Sequence, residues 1–250
     1  MKENESGSTI PEALNQVLAG ARRVAVMTGA GISAESGIPT FRDAQTGLWA
    51  KYRAEDLATP EAFQRDPELV WNWYQWRRSL ISKANPNPGH RTLARMAEKV
   101  PDFCLITQNV DGFHTLAGSP SVIELHGNIQ RTKCFDAHHP AESWLADEVP
   151  PKCTLCQSPL RPDVVWFGEA LPQDALTQAV NAARACEVFF SIGTSSVVYP
   201  AADIAFQAMR HGAVTVEINP METPASSHFT HTLRGPAGKV LPQLFAVTWP

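Results

Sequence analysis

The sequence predicts an α/β fold: a parallel sheet with helices on both faces, interrupted by a small inserted module. Three observations carry that expectation. Short apolar, β-prone runs at 24–27, 103–107, 188–192 and 214–218 alternate with stretches of helical period. The first run ends in Gly29-Ala30-Gly31, and Ala34 completes the spacing G-x-G-x-x-A of a dinucleotide-binding turn. From about 130 to 164 the period disappears into polar residues, prolines and three cysteines. The expected division is therefore 1–129 with 165–250 for the sheet domain and 130–164 for the module.

Taken in order, Ser8 or Thr9 can cap a helix over 11–19, with Pro11 in its first turn and Gly20 closing it. The strand 24–27 and the glycine turn follow. Gly29 can take positive φ and Gly31 has no Cβ, so the backbone there can approach a pyrophosphate. A hydride-transfer domain would next show a second strand ending in an acidic residue about 20 positions on. Here the chain instead runs through Ser36-Gly37-Ile38-Pro39-Thr40-Phe41-Arg42-Asp43 with no strand pattern, so a dinucleotide would be held differently.

Thr59-Pro60 starts a short helix, and Asp66-Pro67 caps a longer one to about 82, where Leu69, Trp73, Trp76 and Leu80 form the expected core stripe. The turn 85–89 stops it. A helix over 90–99, the strand 103–107 and a short strand at 122–125 come next. After the module the alternation resumes, with helix 173–185, strand 188–192, helix 201–211, strand 214–218 and a final helix near 238–246.

Composition bounds the function. A chain of 250 residues, 44% hydrophobic, with mean hydropathy −0.18, can bury a full core. A net charge of −4 gives no electrostatic reason to expect nucleic acid or an anionic membrane as a partner. No apolar run approaches membrane-spanning length, and the polar start MKENESGST has neither a secretory nor a transit pattern, so the expected location is cytoplasmic. Five cysteines, an odd number, argue for thiols or metal ligation over disulfides.

Several segments could carry chemistry. Gln108, Asn109 and Asp111 follow a parallel strand, where open α/β sheets place their ligand crevice, and could bond a ribose and an amide; an ordinary Asx turn is the plainer reading. His126 follows the strand 122–125, a position that suits a general base, whereas most of the eight histidines read as surface or packing residues. Cys153-x-x-Cys156 with Cys134 upstream fits part of a structural zinc site. A second CxxC would need cysteine where Ala137 stands, leaving His138, His139 or Asp136 as fourth ligand, or a hairpin of free thiols. Gly193-Thr194-Ser195-Ser196 and Asn219 end strands and suit phosphate or ribose contacts, or plain turns. Arg77 interrupts the otherwise apolar row Val70, Tyr74, Ile81. An unpaired charge is expensive to bury, so its guanidinium needs an anion or a wet outlet. Snorkelling is the commoner case.

Together these residues resemble the sirtuin family of NAD-dependent protein lysine deacylases. GAGIS at 29–33, GIPTFR at 37–42, TQNVD at 107–111, ELHG at 124–127, VVWFGE at 164–169, GTSS at 193–196 and EIN at 217–219 occur in the family's order, and the likeness spans about 21–245. The resemblance implies a Rossmann-like domain, a small zinc module, and NAD consumed as a cosubstrate in the cleft between them. It implies that the acyl-lysine oxygen attacks the nicotinamide ribose, with His126 as base at the ribose hydroxyls, giving nicotinamide, O-acyl-ADP-ribose and free lysine. Asn109 would bind ribose and a water, Gln108 a ribose hydroxyl and Asp111 the nicotinamide amide. Gly29, Ala30, Gly31, Ile32, Phe41, Arg42, Val110, Gly193, Thr194, Ser195, Asn219 and Ala237 would complete the NAD cleft. Val165, Phe167, Gly168 and Glu169 would pair with the backbone of an acylated lysine peptide. Tyr74-x-x-Arg77 and the small Ala58 look like the class III signature, which implies removal of succinyl, malonyl or glutaryl groups. Mono-ADP-ribosyl transfer and non-catalytic NAD or ADP-ribose sensing are the alternatives.

Overall fold

The computed structural model describes residues 10–39, 51–145 and 148–250. Phe41 and Arg42, and the Ser8 or Thr9 cap, lie outside the described residues.

In chain order the elements are α1 (Glu12–Gly20), β1 (Arg23–Thr28), α2 (Gly31–Ala34), α3 (Ala54–Leu57), α4 (Pro60–Arg65), α5 (Pro67–Ile81), α6 (Pro88–Lys99) and β2 (Asp102–Thr107). Then come α7 (Phe113–Leu116), β3 (Ile123–Glu124), β4 (Gly127–Cys134), β5 (Trp144–Leu145), β6 (Lys152–Cys153) and β7 (Leu160–Val164). The chain closes with α8 (Gln173–Ala185), β8 (Val188–Ile192), α9 (Asp203–Arg210), β9 (Val214–Asn219), β10 (His231–Arg234) and α10 (Ala237–Thr248).

Six parallel strands form the main sheet in the order β10-β9-β8-β1-β2-β3. The chain winds outward one way from β1 and then returns to β8 on its other side, so the topological switch point lies between β1 and β8. Alternation along β1 splits the core. Val24 and Val26 pack with α1, α6 and α10 residues such as Leu18, Leu93 and Leu241, while Ala25 and Met27 pack with Ala179 and Ala183 of α8 and Ile204 and Ala208 of α9. Both faces are therefore helix-covered, which is why these strands read as continuous apolar runs.

Four local expectations are corrected. First, α6 begins at Pro88 inside the expected turn, because Asn87 and His90 form a capping box. Second, β10 extends the sheet at its edge; with four residues and one buried side chain, Leu233, it is too short to show a period. Third, the aperiodic segment contains the antiparallel pair β4–β7, whose register shift between Asn128 and Thr132 breaks the two-residue alternation. Fourth, the buried face of α5 is Val70, Trp73, Tyr74 and Ile81, with Leu69 and Trp76 only partly buried beside it. Two adjacent apolar stripes fit helical spacing equally well, and packing buries Trp73 of the expected one together with Val70, Tyr74 and Ile81 of the row that contains Arg77. Phe63, Ile129, Val164 and Trp166 close over that stripe, and Arg78 ties α5 to β4 through the Ile129 carbonyl (2.6 Å) and the Arg131 carbonyl (2.9 Å).

Candidate functional site

The candidate site lies along the carboxyl edge of the main sheet. The turn after β1 and the turn after β8 interlock: the Gly31 amide donates to the Gly193 carbonyl (2.8 Å) and the Gly29 amide to the Ile192 carbonyl (2.9 Å). A Cβ on Gly31 would lie 2.7 Å from Gly193 Cα, and one on Gly193, whose φ is +60°, would lie 2.4 Å from Ile32 N. The glycines thus serve backbone-to-backbone approach between two turns at the switch point as well as any ligand. Gly193→Ala should cost at least about 1 kcal/mol, or roughly 2–4 °C in Tm. A thermal melt unchanged from wild type would contradict the interlock.

Around these turns stand the polar residues that end β2, β3 and β9. Gln108 Nε2 donates to Thr194 Oγ1 (3.1 Å), and Asn219 Nδ2 to the Thr194 carbonyl (3.0 Å), so the expected ribose-contact residues share one framework. Asn109 Nδ2 donates to the Gly29 carbonyl (3.1 Å) and to Ser33 Oγ (3.2 Å). Ser33 Oγ in turn donates to Asp111 Oδ2 (2.7 Å), whose other oxygen accepts from the Phe113 amide (2.9 Å). Burial pushes the Asp111 carboxyl up, and these two donors pull against it.

His90 completes this network. The Asn87 amide donates to its Nδ1 (3.3 Å), so the proton sits on Nε2 and is donated to Ser33 Oγ (3.3 Å). Burial pushes His90 down to about 4 and the neighbouring His114 down to about 3, so both imidazoles are neutral packing and bonding groups. Ser33 and His90 were not singled out in sequence. His90 has no signal beyond its place in a capping box, and Ser33 was read only as part of a glycine turn.

His126 lies two residues after β3 and immediately before β4, beyond the strand's carboxyl end as its sequence position suggests. Its Nδ1 lies 2.9 Å from the Gln108 carbonyl, an oxygen that can only accept, so Nδ1 carries the proton and Nε2 keeps its lone pair. Burial lowers its pKa, opposed by the bond to Gln108. A neutral imidazole with an unprotonated nitrogen of fixed tautomer can accept a hydroxyl proton.

A second group of side chains gathers under α5. Ala58, Tyr74 and Trp166 are buried in one apolar cluster. The Phe167 amide donates to the Ala58 carbonyl (2.9 Å), and the Trp166 indole donates to the Tyr74 hydroxyl (2.8 Å). The Arg77 guanidinium lies over the Trp73 ring, 5.1 Å from its centroid. Burial lowers its pKa, while Tyr74 and Asp111 raise it. Val165 joins the two parts of the site, its amide donating to the His126 carbonyl (2.9 Å). Glu169 accepts from the Trp166 amide (2.8 Å) and from the buried Arg161.

The cysteines converge as well. The ligand atoms of Cys134, His139, Cys153 and Cys156 all lie within 4.8 Å of one another. Cys134 Sγ is 3.0 Å from Cys156 Sγ, and Cys153 Sγ is 3.8 Å from His139 Nε2. No cysteine is in a disulfide. Three thiols and an imidazole at such separations fit a four-coordinate zinc, whose donors sit about 2.0–2.3 Å from the ion. The fourth donor in the cluster is His139, and the exposed His138 and Asp136 stand outside it. The ion's part is structural: it would hold β4 and β6 together. A strong chelator should lower Tm by about 2–4 °C for each kcal/mol of zinc stabilisation lost. Metal analysis of native protein without zinc, and a melt unmoved by chelator, would refute the site.

A family profile described as Sir2 family matches residues 29–200, which contain both glycine turns, the residues of the TQNVD run and His126. The chain belongs to the Sir2 family. It is 55% identical over 212 residues to the NAD-dependent protein deacylase of Aquifex aeolicus, covering 82% of this chain and 88% of that one. It is 51% identical over 241 residues to the NAD-dependent protein deacylase of Pyrococcus furiosus, covering 92% and 95%. The crystal structure of a Sir2 homolog–NAD complex superposes with TM-score 0.90 at 44% identity, covering 97% of this chain and 95% of that one. A Sir2–p53 peptide–NAD+ structure superposes with TM-score 0.84 at 31% identity, covering 95% and 98%.

Within this Sir2 fold, Ile32 and Ala237 are buried in the core cluster on one face of the sheet. The Gly238 amide beside Ala237 is already bonded to Glu35 (2.6 Å). Among the described residues no helix is long and apolar enough to cross a membrane.

Proposed function

We propose that this Sir2 protein, an NAD-dependent protein deacylase, prefers lysines carrying negatively charged acyl groups, succinyl and malonyl with glutaryl in reach, over acetyl-lysine. The observation that carries this reading is the place of Arg77 on α5, one turn after Tyr74 and against Trp73 of the cluster that holds Ala58 and Trp166. A carboxylate meeting a guanidinium in apolar surroundings gains charge-assisted hydrogen bonds. Ala58 leaves room for the longer acyl chain.

The remaining roles follow from position. His126 Nε2 accepts a proton from the ribose hydroxyls of NAD. Asn109 and Gln108 hold the ribose, and Asp111, oriented by Ser33 and Phe113, takes the nicotinamide amide. Gly29, Ala30, Gly31, Gly193, Thr194, Ser195, Val110 and Asn219 frame the dinucleotide, with Phe41 and Arg42 from the glycine turn's continuation. The substrate peptide lies along Val165, Phe167, Gly168 and Glu169. The amides of Val165, Phe167 and Glu169 are bonded within the protein, so an added strand would bond through this segment's carbonyls and the Gly168 amide. We keep the division of 1–129 with 165–250 and 130–164 as the domain reading. Mono-ADP-ribosyl transfer and NAD sensing are not favoured by relatives named deacylases.

The test is a set of kcat/KM values on one peptide carrying acetyl-, malonyl-, succinyl- or glutaryl-lysine at saturating NAD. Higher values for the acidic acyl groups are expected, and a higher value for acetyl-lysine would overturn the preference.

A further inference from the structure

We propose that Trp166 is a positioning residue for acyl selectivity: its indole N–H, bonded to the Tyr74 oxygen, turns the Tyr74 hydroxyl proton toward the acyl carboxylate. This rests on the charged-acyl reading above. A phenol has one proton to give and lone pairs to receive, whereas an indole can only donate. The Nε1 to hydroxyl distance of 2.8 Å therefore fixes the direction of that bond, and the Tyr74 proton must go elsewhere. Both rings are buried, Trp166 at 2% exposure and Tyr74 at 4%, so water is a poor outlet. Of its charged neighbours, Arg77 and Arg161 cannot accept a proton, and the Glu169 carboxylate is engaged by Arg161 and by the Trp166 amide; among the described residues no acceptor receives it. Burial pushes the phenol up to about 12, so the proton is present throughout the working pH range.

A succinyl carboxylate held by Arg77 would supply the missing acceptor. An acetyl methyl would not. The same bond thus favours acidic acyl groups and leaves a buried hydroxyl proton unmatched when the acyl group is neutral.

The surroundings of Trp166 are built to hold it still. The Arg161 guanidinium lies over the indole at 3.3 Å from the ring centroid, with its side chain fully buried. Arg161 is fixed by the Val164 carbonyl (2.7 Å) and by Glu169 Oε2 (2.9 Å). That same carboxylate accepts from the Trp166 backbone amide, so one acid clamps both the ring's stacking partner and the main chain that carries the ring. Phe63 packs on the indole with ring centroids 5.4 Å apart.

The experiment compares kcat/KM on matched succinyl and acetyl peptides for wild type, Trp166→Phe, Tyr74→Phe and the double variant. Trp166→Phe should lower the succinyl-to-acetyl ratio by about 2- to 10-fold, the worth of one oriented hydrogen bond. In the Tyr74→Phe background it should lower the ratio no further, because the hydroxyl it orients is gone. If Trp166→Phe melts below the assay temperature, replacing Trp166 by benzothienylalanine, which exchanges the N–H for sulfur at nearly constant shape, should give the same fall. A ratio unmoved by these changes, while Arg77→Met lowers it, would overturn the role of Trp166 and leave the charged-acyl reading standing. A ratio unmoved by Arg77→Met as well would overturn both.

Discussion

Replacing His126 with alanine is expected to lower kcat by about 10²- to 10⁴-fold while the protein still folds. His126 is only partly buried, and its hydrogen bond is to the Gln108 carbonyl, which a water can take over, so the structural cost is small. The chemical cost is large because Nε2 is the nitrogen left free to take a proton. Since burial lowers the pKa of His126, the neutral form persists below the usual histidine midpoint. The acid limb of activity should therefore be centred below the usual histidine midpoint. A pH profile of kcat/KM checks this: an acid limb centred above 6.5, or wild-type turnover in His126→Ala, would remove His126 from the role of base.

Arg77→Met should lower the succinyl-to-acetyl ratio of kcat/KM by about 10- to 150-fold, because a hydrogen bond to a charged group contributes about 1.5–3 kcal/mol. Methionine keeps an unbranched apolar stem and removes the guanidinium with its charge and donors. Burial disfavours the Arg77 cation, and Tyr74 and Asp111 support it, which makes Asp111 the competing explanation for its presence. The two are separable. If Arg77 serves mainly to steady Asp111 and the nicotinamide end of the site, Arg77→Met should depress both acyl substrates equally and raise the KM for NAD. If it meets the acyl carboxylate, the loss falls on the succinyl peptide.

The sheet was legible because its strands are buried on both faces: 188–192 and the helix 173–185 coincide with β8 and α8, since a continuous apolar run and a clear helical period leave little choice. The carboxyl-edge motifs were legible for a related reason, as Gln108, Asn109, Asp111 and His126 each follow a recognisable strand. What the sequence hid depends on contacts between distant segments. The interlock of Gly31 with Gly193 spans two turns far apart in the chain, and nothing in either turn announces the other. The choice of Val70, Tyr74 and Ile81 over Leu69, Trp76 and Leu80 as the buried face of α5 was decided by Phe63 and Trp166. The choice of His139 over His138 is made in the turn between the cysteines, where His138 takes a φ of +56° and is exposed outside the cluster. The Trp166–Tyr74 bond, joining residues 92 positions apart, had no trace in local pattern at all.

The most direct test of the account is to weigh the products formed from a succinyl-lysine peptide with and without NAD. The account predicts that NAD is required, and that each free lysine appears together with one nicotinamide and one O-succinyl-ADP-ribose. Loss of succinyl without NAD, or ADP-ribose attached to the peptide in place of free lysine, would contradict it.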